Sequence, residues 1–203
     1  MHEKQTKLKT NLNDLKKRVH AIINFRTHRG NCVFLDIPLY LNMGDQLIYW
    51  GTEVFFKNIG ISPKMRLSAY EYDRFKKHIT ADDTIFLQGG GNLNSLYKTH
   101  EELRNKVMSD FPENEIIILP QSIYFKDDNE AKIFLAPYKR HKGLTLLVRD
   151  QESLDIVNKI GGIKCFLCPD MAHALWNDPN GLKPSNGGHG TLNFKRKDIE
   201  AIS

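Results

Sequence analysis

The residues of this chain that could do chemistry gather just after short apolar runs. Asn42-Met43-Gly44-Asp45 follows CVFLDI (32–37), and Gln88-Gly89-Gly90-Gly91-Asn92 closes DTIFLQ (83–88). Pro120-Gln121-Ser122 follows EIIILP (115–120), Arg149-Asp150 closes LTLLVR (144–149), and Pro169-Asp170 follows KCFLC (164–168). Amides, a hydroxyl and carboxylates supply hydrogen bonds of both senses. The planar guanidinium of Arg149 could grip a carboxylate or phosphate with two parallel bonds, or simply pair with Asp170. Three glycines in a row let a backbone approach a ligand, and a helix after them would aim its N–H groups at the same place; a tight strand–helix turn would use the same residues. Asp45 could be only a helix cap or could face a ligand, and Asp150, opening Asp150-Gln151-Glu152-Ser153, carries the same ambiguity.

Several chemistries are excluded by spacing. Asn94 stands at the third glycine position of G-x-G-x-x-G, and the next strand ends in Pro120-Gln121 rather than an acidic residue, so this is no dinucleotide fingerprint. No P-loop, nucleophile elbow or H-E-x-x-H occurs. Cys165-x-x-Cys168 is a lone pair on an expected strand, which argues against a redox or metal role. His173, close to Asp170, reads as structural.

The elements that would position these residues alternate. Strands are expected at 32–37, 65–70, 83–88, 115–120, 144–149 and 164–168. Helices are expected over Asp45–Asn58, in a short piece reaching His78, and over Leu96–Asp110, Asp127–His141 (flawed by Pro137 near its end) and Asp150–Lys159. Continuous apolar strands separated by amphipathic helices imply an α/β, Rossmann-like, doubly wound parallel sheet over residues 31–176. Ligands of such sheets bind beyond the carboxyl ends of the strands, where the polar residues lie.

Residues 1–30 read as a basic amphipathic helical arm, with the stripe Leu8, Leu12, Leu15, Val19 and Ile22. Eight Lys/Arg and two carboxylates give this arm +6; the whole chain carries +5, which leaves −1 for residues 31–203. A solvated helix face explains the arm, and contact with an anionic membrane surface is the sharper alternative. The body has no excess positive charge to track phosphates, and no aromatics interleave the basic residues, so nucleic acid is not an expected partner. With 203 residues, 40% hydrophobic and 26% charged, the chain can bury a core without disulfides, and no apolar run approaches 18 residues. Three cysteines make no disulfide framework and no apolar leader is visible, so the expectation is a cytoplasmic protein, peripheral at the inner membrane face if the arm binds there. Residues 177–203 read as a Gly/Pro/Asn-rich linker and the first strand of an incomplete second domain.

Taken together, N-M-G-D with its helix (Asn42–Trp50), D-D-T-I-F-L-Q-G-G-G-N (Asp82–Asn92), L-P-Q-S (Leu119–Ser122), V-R-D-Q-E-S (Val148–Ser153) and P-D-M-A (Pro169–Ala172) resemble the polysaccharide pyruvyl transferase family. Order and spacing agree over about residues 31–175, and Arg196–Glu200 looks like the entry to that family's second domain. The resemblance implies two Rossmann-like domains facing across a GT-B-like cleft. It implies transfer of pyruvyl from phosphoenolpyruvate to two hydroxyls of a sugar as a cyclic ketal, in exopolysaccharide or cell-wall polymer synthesis, with no cofactor or metal. A lipid-linked oligosaccharide acceptor would suit the basic arm. It implies Asp45 as acceptor contact or general base, and Asn42, Gly44, Gly89, Gly90, Gly91, Asn92, Gln121, Ser122, Arg149 and Asp170 as substrate-binding residues.

The basic R-x-H stretch that the family carries in its second domain does not occur, and Arg140-His141 is not its equivalent. The expectation is therefore a truncated chain, inactive alone, that needs a separate C-terminal half. Two other readings stand beside it: a GT-B-type glycosyltransferase using a nucleotide sugar, and a non-catalytic module docking a partner through Leu8–Ile22.

Overall fold

The computed structural model describes residues 31–179 and, of the preceding arm, Asn13, Asp14, Lys16, Lys17, Arg18 and Ala21. Those six are helical. The apolar stripe from Leu8 to Ile22 and the expected strand of a second domain lie outside the described residues.

Seven strands form one sheet: β1 (Cys32–Leu35), β2 (Met65–Leu67), β3 (Thr84–Leu87), β4 (Gly90–Leu93), β5 (Ile116–Ile123), β6 (Leu144–Val148) and β7 (Cys165–Leu167). Among residues 31–179, five α-helices accompany them: α1 (Met43–Asn58), α2 (Tyr72–Phe75), α3 (Lys98–Asp110), α4 (Asp128–Arg140) and α5 (Gln151–Ile160). Short 3₁₀ turns cover Lys76–His78 and Met171–Leu175. The order is β2-β1-β3-β5-β6-β7, with β4 paired to β5, and every pairing is parallel. Setting β4 aside, this is the flavodoxin-like variant of the doubly wound sheet, whose order reverses between β1 and β3.

Alternation along the strands divides the core in two. Val33, Leu35, Ile85, Leu87, Ile116 and Ile118 face Tyr72 of α2, Val107 of α3, Leu135 of α4 and Val157 of α5. Phe34, Phe86, Ile117 and Leu119 face the other way, onto Phe55 and Phe56 of α1 and Met171 and Ala174 of the last 3₁₀ turn. Right-handed crossovers demand this division: only the β1–α1–β2 connection runs leftward, so only α1 lands on that face. Each of these buried side chains contributes about 2 kcal/mol through removal from water.

Two features depart from the sequence expectation. Pro120 does not end its strand. β5 continues to Ile123, because a register shift between Ile118 and Gln121 places an irregularity at the proline, where its missing N–H is tolerated. The glycine run is no strand–helix turn either. Gly90–Leu93 forms β4, with an extra residue between Gly90 and Leu93 against β5, and α3 begins only at Lys98.

The three cysteines are free. Burial pushes Cys32 up to about 11 and Cys165 and Cys168 up to about 12, so all three are thiols at neutral pH. A thiol-specific chromogenic reagent at about pH 8 should label the native chain far more slowly than the urea-unfolded chain. Rapid native labelling of Cys165 or Cys168 would revive a redox role for that pair. Among the described residues no helix is long and apolar enough to cross a membrane.

Candidate functional site at the sheet's carboxyl edge

At the reversal point, α1 begins beside the end of β3. Asn42, not Asp45, is its N-cap: Asn42 Oδ1 accepts from the Gly44 N–H at 2.9 Å and the Asp45 N–H at 3.4 Å. Asp45 sits in the first turn, half-buried, with its carboxylate bonded by the Tyr40 hydroxyl. Burial and the Asp45 carboxylate both hold the Tyr40 phenol well above its ordinary pKa, so it stays a donor to Asp45.

The glycines bring three elements against one another. A Cβ at Gly89 would stand 2.8 Å from the Pro120 carbonyl oxygen, and one at Gly90 would stand 3.3 Å from Asp45 Oδ1. Gly90 also has φ +142°, a conformation that L side chains rarely adopt. A Cβ at Gly91 would stand 3.4 Å from Arg149 Nη2.

Arg149 is the hub of the far side. Its Nη1 donates to Asp170 Oδ2 at 2.6 Å and its Nε to Ser122 Oγ at 2.8 Å, while Ser122 Oγ donates to Asp150 Oδ2 at 2.6 Å. Asp170 Oδ1 and Asp150 Oδ1 accept from the N–H groups of Ala172 and Ser153, so each carboxylate also caps the turn or helix that follows. With Nη1 and Nε used in this way, Nη2 points over Gly91.

The rim is thus continuous from Asp45 through Gly90 and Gly91 to Arg149, Ser122 and Asp170. Not every expected residue lies at its surface. Asn42 and Gly44 are exposed, and Asp45, Gly91, Ser122, Arg149 and Asp170 are partly exposed. Gly89, Gly90, Asn92 and Gln121 are buried beneath them. Gln121 is fully buried and donates to the Gln88 carbonyl at 2.7 Å. The Asn92 side-chain and backbone oxygens both accept from the buried guanidinium of Arg104. In this structure Asn92 and Gln121 hold the rim from behind.

One cationic group at this edge, Arg18, escaped the sequence reading. A cavity of about 590 Å³ beside Arg149 and Asp170 is also lined by Arg18 of the arm and by His173. Arg18 is 131 residues from Arg149 in sequence, and only the fold brings them together. Among the described residues no group of three His, Cys, Asp or Glu side chains could hold a metal ion.

Burial pushes the Asp150 carboxyl up, but bonds from Ser122 and Ser153 and the neighbouring Arg149 outweigh this and hold it below the usual carboxylate range. A depressed folded pKa contributes stability that is present above the unfolded value near ~4 and lost as pH falls through the folded value. Wild type and Asp150→Asn should therefore differ by a constant free energy from about pH 5 to 8 and converge below about pH 4. Urea titrations that stay parallel down to about pH 3 would contradict this assignment.

A flavodoxin-like parallel sheet with glycines, an acid and an arginine on one carboxyl edge is the frame of a ligand-binding domain, and comparison with known proteins fixes the family. A family profile described as "Polysaccharide pyruvyl transferase" matches residues 42–202, and the chain belongs to that family. It is 32% identical over 188 residues to "Putative pyruvyl transferase EpsO" of Bacillus subtilis (strain 168), covering 92% of this chain and 57% of that protein. It is 26% identical over 177 residues to "Pyruvyl transferase 1" of Schizosaccharomyces pombe, covering 82% of this chain and 44% of that protein. The chain thus spans about half the length of these relatives. A functionally uncharacterised Klebsiella pneumoniae protein of known structure shares the fold, with TM-score 0.58 and 18% identity over 86% of this chain and 58% of that one.

Proposed function

We propose that this chain supplies one wall of a pyruvyl transferase site, moving pyruvyl from phosphoenolpyruvate to a sugar of an exopolysaccharide or cell-wall polymer. The observation that carries the reading is the oriented guanidinium of Arg149. It is held by Asp170 and Ser122 with Nη2 over Gly91, and Arg18 lines the same cavity. Phosphoenolpyruvate carries a carboxylate and a phosphate on the same enol carbon, and planar guanidinium groups match both.

In the reaction two sugar hydroxyls add to the enol carbon of the donor. The methylene carbon gains one proton to become methyl, phosphate departs with the other, and a cyclic ketal remains. Asp45, partly exposed and fixed by Tyr40, is the group proposed to take a hydroxyl proton. Cations must offset the charge developing on the leaving phosphate. This edge offers few, so the transfer draws on a second domain across a GT-B-like cleft, and the 203-residue chain alone is expected to be inactive. The place of work in this reading is the cytoplasmic side, with the basic arm against an anionic membrane and a lipid-linked acceptor.

Calorimetric titration with phosphoenolpyruvate tests the donor site. Arg149→Met should weaken binding at least ~10-fold, in keeping with loss of a charge-assisted bond worth about 1.5–3 kcal/mol. Equal affinity of wild type and variant would sink the reading. Stabilisation by UDP-sugars but not by phosphoenolpyruvate would favour a nucleotide-sugar transferase instead. Robust phosphate release by residues 1–203 with a sugar acceptor would show that no second domain is needed.

A further inference from the structure

A second cavity, of about 350 Å³, lies on the same carboxyl edge, on the side of β1 and β2. At its base Asp36 and His100 form a pair that the rim does not use, with Arg104 behind them. Asp36, directly after β1, is 3% exposed and has φ +67°, a left-handed conformation uncommon for a residue with a side chain. Its Oδ1 lies 2.7 Å from His100 Nδ1, and its Oδ2, 3.6 Å from Arg104 Nη2, makes no hydrogen bond. The pair with Asp36 fixes the imidazole through Nδ1 and leaves Nε2 as the nitrogen that can serve a ligand. Tyr40 and Tyr97 stand edge-on to that ring, with centroids 6.2 and 6.3 Å away. Leu39, Tyr70 and Leu96 complete an apolar lining and are 65%, 83% and 63% exposed.

A cavity with apolar and aromatic walls, an oriented His100 and the polar side chains of Ser68, Lys98 and Thr99 suits a small ligand that has both apolar faces and hydroxyls. An anion could use Lys98, which also lines the cavity, but it would meet the Asp36 carboxylate, and the guanidinium behind that carboxylate is fully buried and engaged with Asn92. A purely apolar ligand would offer nothing to the remaining ring nitrogen of the part-buried His100. A pyranose meets both conditions, with C–H faces for the tyrosines and hydroxyls for His100 Nε2. Tyr40 lines the cavity while bonding the Asp45 carboxylate, so the cavity adjoins the proposed base.

We propose that the cavity between Asp36, Tyr40, Tyr97 and His100 is a pyranose subsite, which under the transferase reading above would hold the acceptor sugar with a hydroxyl toward Asp45. His100 binds the sugar in this assignment, and Asp36 positions His100.

The test is an NMR titration of the ¹⁵N-labelled 203-residue chain with the methyl α- and β-pyranosides of glucose, galactose, mannose and N-acetylglucosamine. At least one should shift amides of residues 36–40, 68–70 and 96–100, and Tyr97→Ala and His100→Ala should each weaken it at least ~10-fold while phosphoenolpyruvate affinity changes less than ~2-fold. No response to any pyranoside, shifts confined to other residues, or undiminished binding in both variants would overturn the subsite. Should a variant fail to fold, the wild-type shift map decides alone. Sugar binding here without phosphoenolpyruvate binding at Arg149 would uphold the subsite and retire the donor reading; the reverse result would retire only the subsite.

Discussion

Arg104→Met is expected to be among the most destabilising single substitutions in the described domain. The Arg104 side chain is fully buried on α3, with Nη1 and Nη2 bonded to Asn92 and Nη2 facing Asp36 across 3.6 Å. Methionine matches much of its volume, so the loss would come from charge rather than from a void. Removal strips the only guanidinium from a carboxylate that is itself 3% exposed, and leaves Asn92 Oδ1 without its donor. Breaking one partner of a buried pair costs about 3–5 kcal/mol. In a domain of this size that corresponds to a fall in melting midpoint on the order of 10 °C. Adding Asp36→Asn should restore part of the loss, because the carboxylate then left with His100 alone is replaced by a neutral amide. A single variant melting within ~2 °C of wild type would show that the buried cluster is not what holds β4 to α3.

Under the transferase reading proposed above, Gly51→Val should damage stability and phosphoenolpyruvate binding together. Gly51 lies mid-helix in α1, where a glycine costs about 1 kcal/mol relative to alanine, so its presence needs a packing reason. The reason is the segment after β7. A Cβ at Gly51 would overlap the Met171 carbonyl oxygen and stand 2.7 Å from the carbonyl carbon. Both partners are backbone, so no side-chain rotation relieves the clash, and the 3₁₀ turn at Met171–Leu175 must lift away. Overpacking of this kind costs about 1–3 kcal/mol. The N-cap of that turn is Asp170, the carboxylate that orients Arg149. We expect the urea midpoint to fall and phosphoenolpyruvate affinity to drop at least ~5-fold, in rough proportion to one lost charge-assisted bond. Unchanged affinity in a destabilised protein would mean that Arg149 does not depend on Asp170 for its position.

Legibility in the sequence followed the strength of the local signal. Runs such as IIIL and LTLLV announce buried parallel strands because both faces are apolar, and the structure places β5 and β6 there. Gly90-Gly91-Asn92-Leu93 carries no such signal, since three of its residues disfavour strands. It is a strand because β5, bent at Pro120, continues alongside it. Asn42 and Asp45 are both cap-forming types three residues apart, and propensity alone does not choose between them. Placing the rim required only that neighbouring parallel strands end together. Placing Arg18 beside Arg149 required the docking of a distant arm, which no spacing rule encodes. Arg104 did leave a trace: it falls between Leu103 and Val107 on the apolar side of α3, four residues from His100, where an arginine is out of pattern.

The incorporation of the glycine run into the sheet has a consequence for how a ligand is met. Three adjacent glycines outside regular structure would fluctuate among many conformers, and docking a substrate there would have to freeze them. Between Gly90 and Leu93 that ordering has already happened at folding, through the ladder to β5. Their amides should exchange with deuterium at rates closer to the central strands than to surface turns. Association at this wall should accordingly carry little entropic penalty from the polypeptide, so that its affinity reflects mainly the fit of the incoming molecule and the water it displaces.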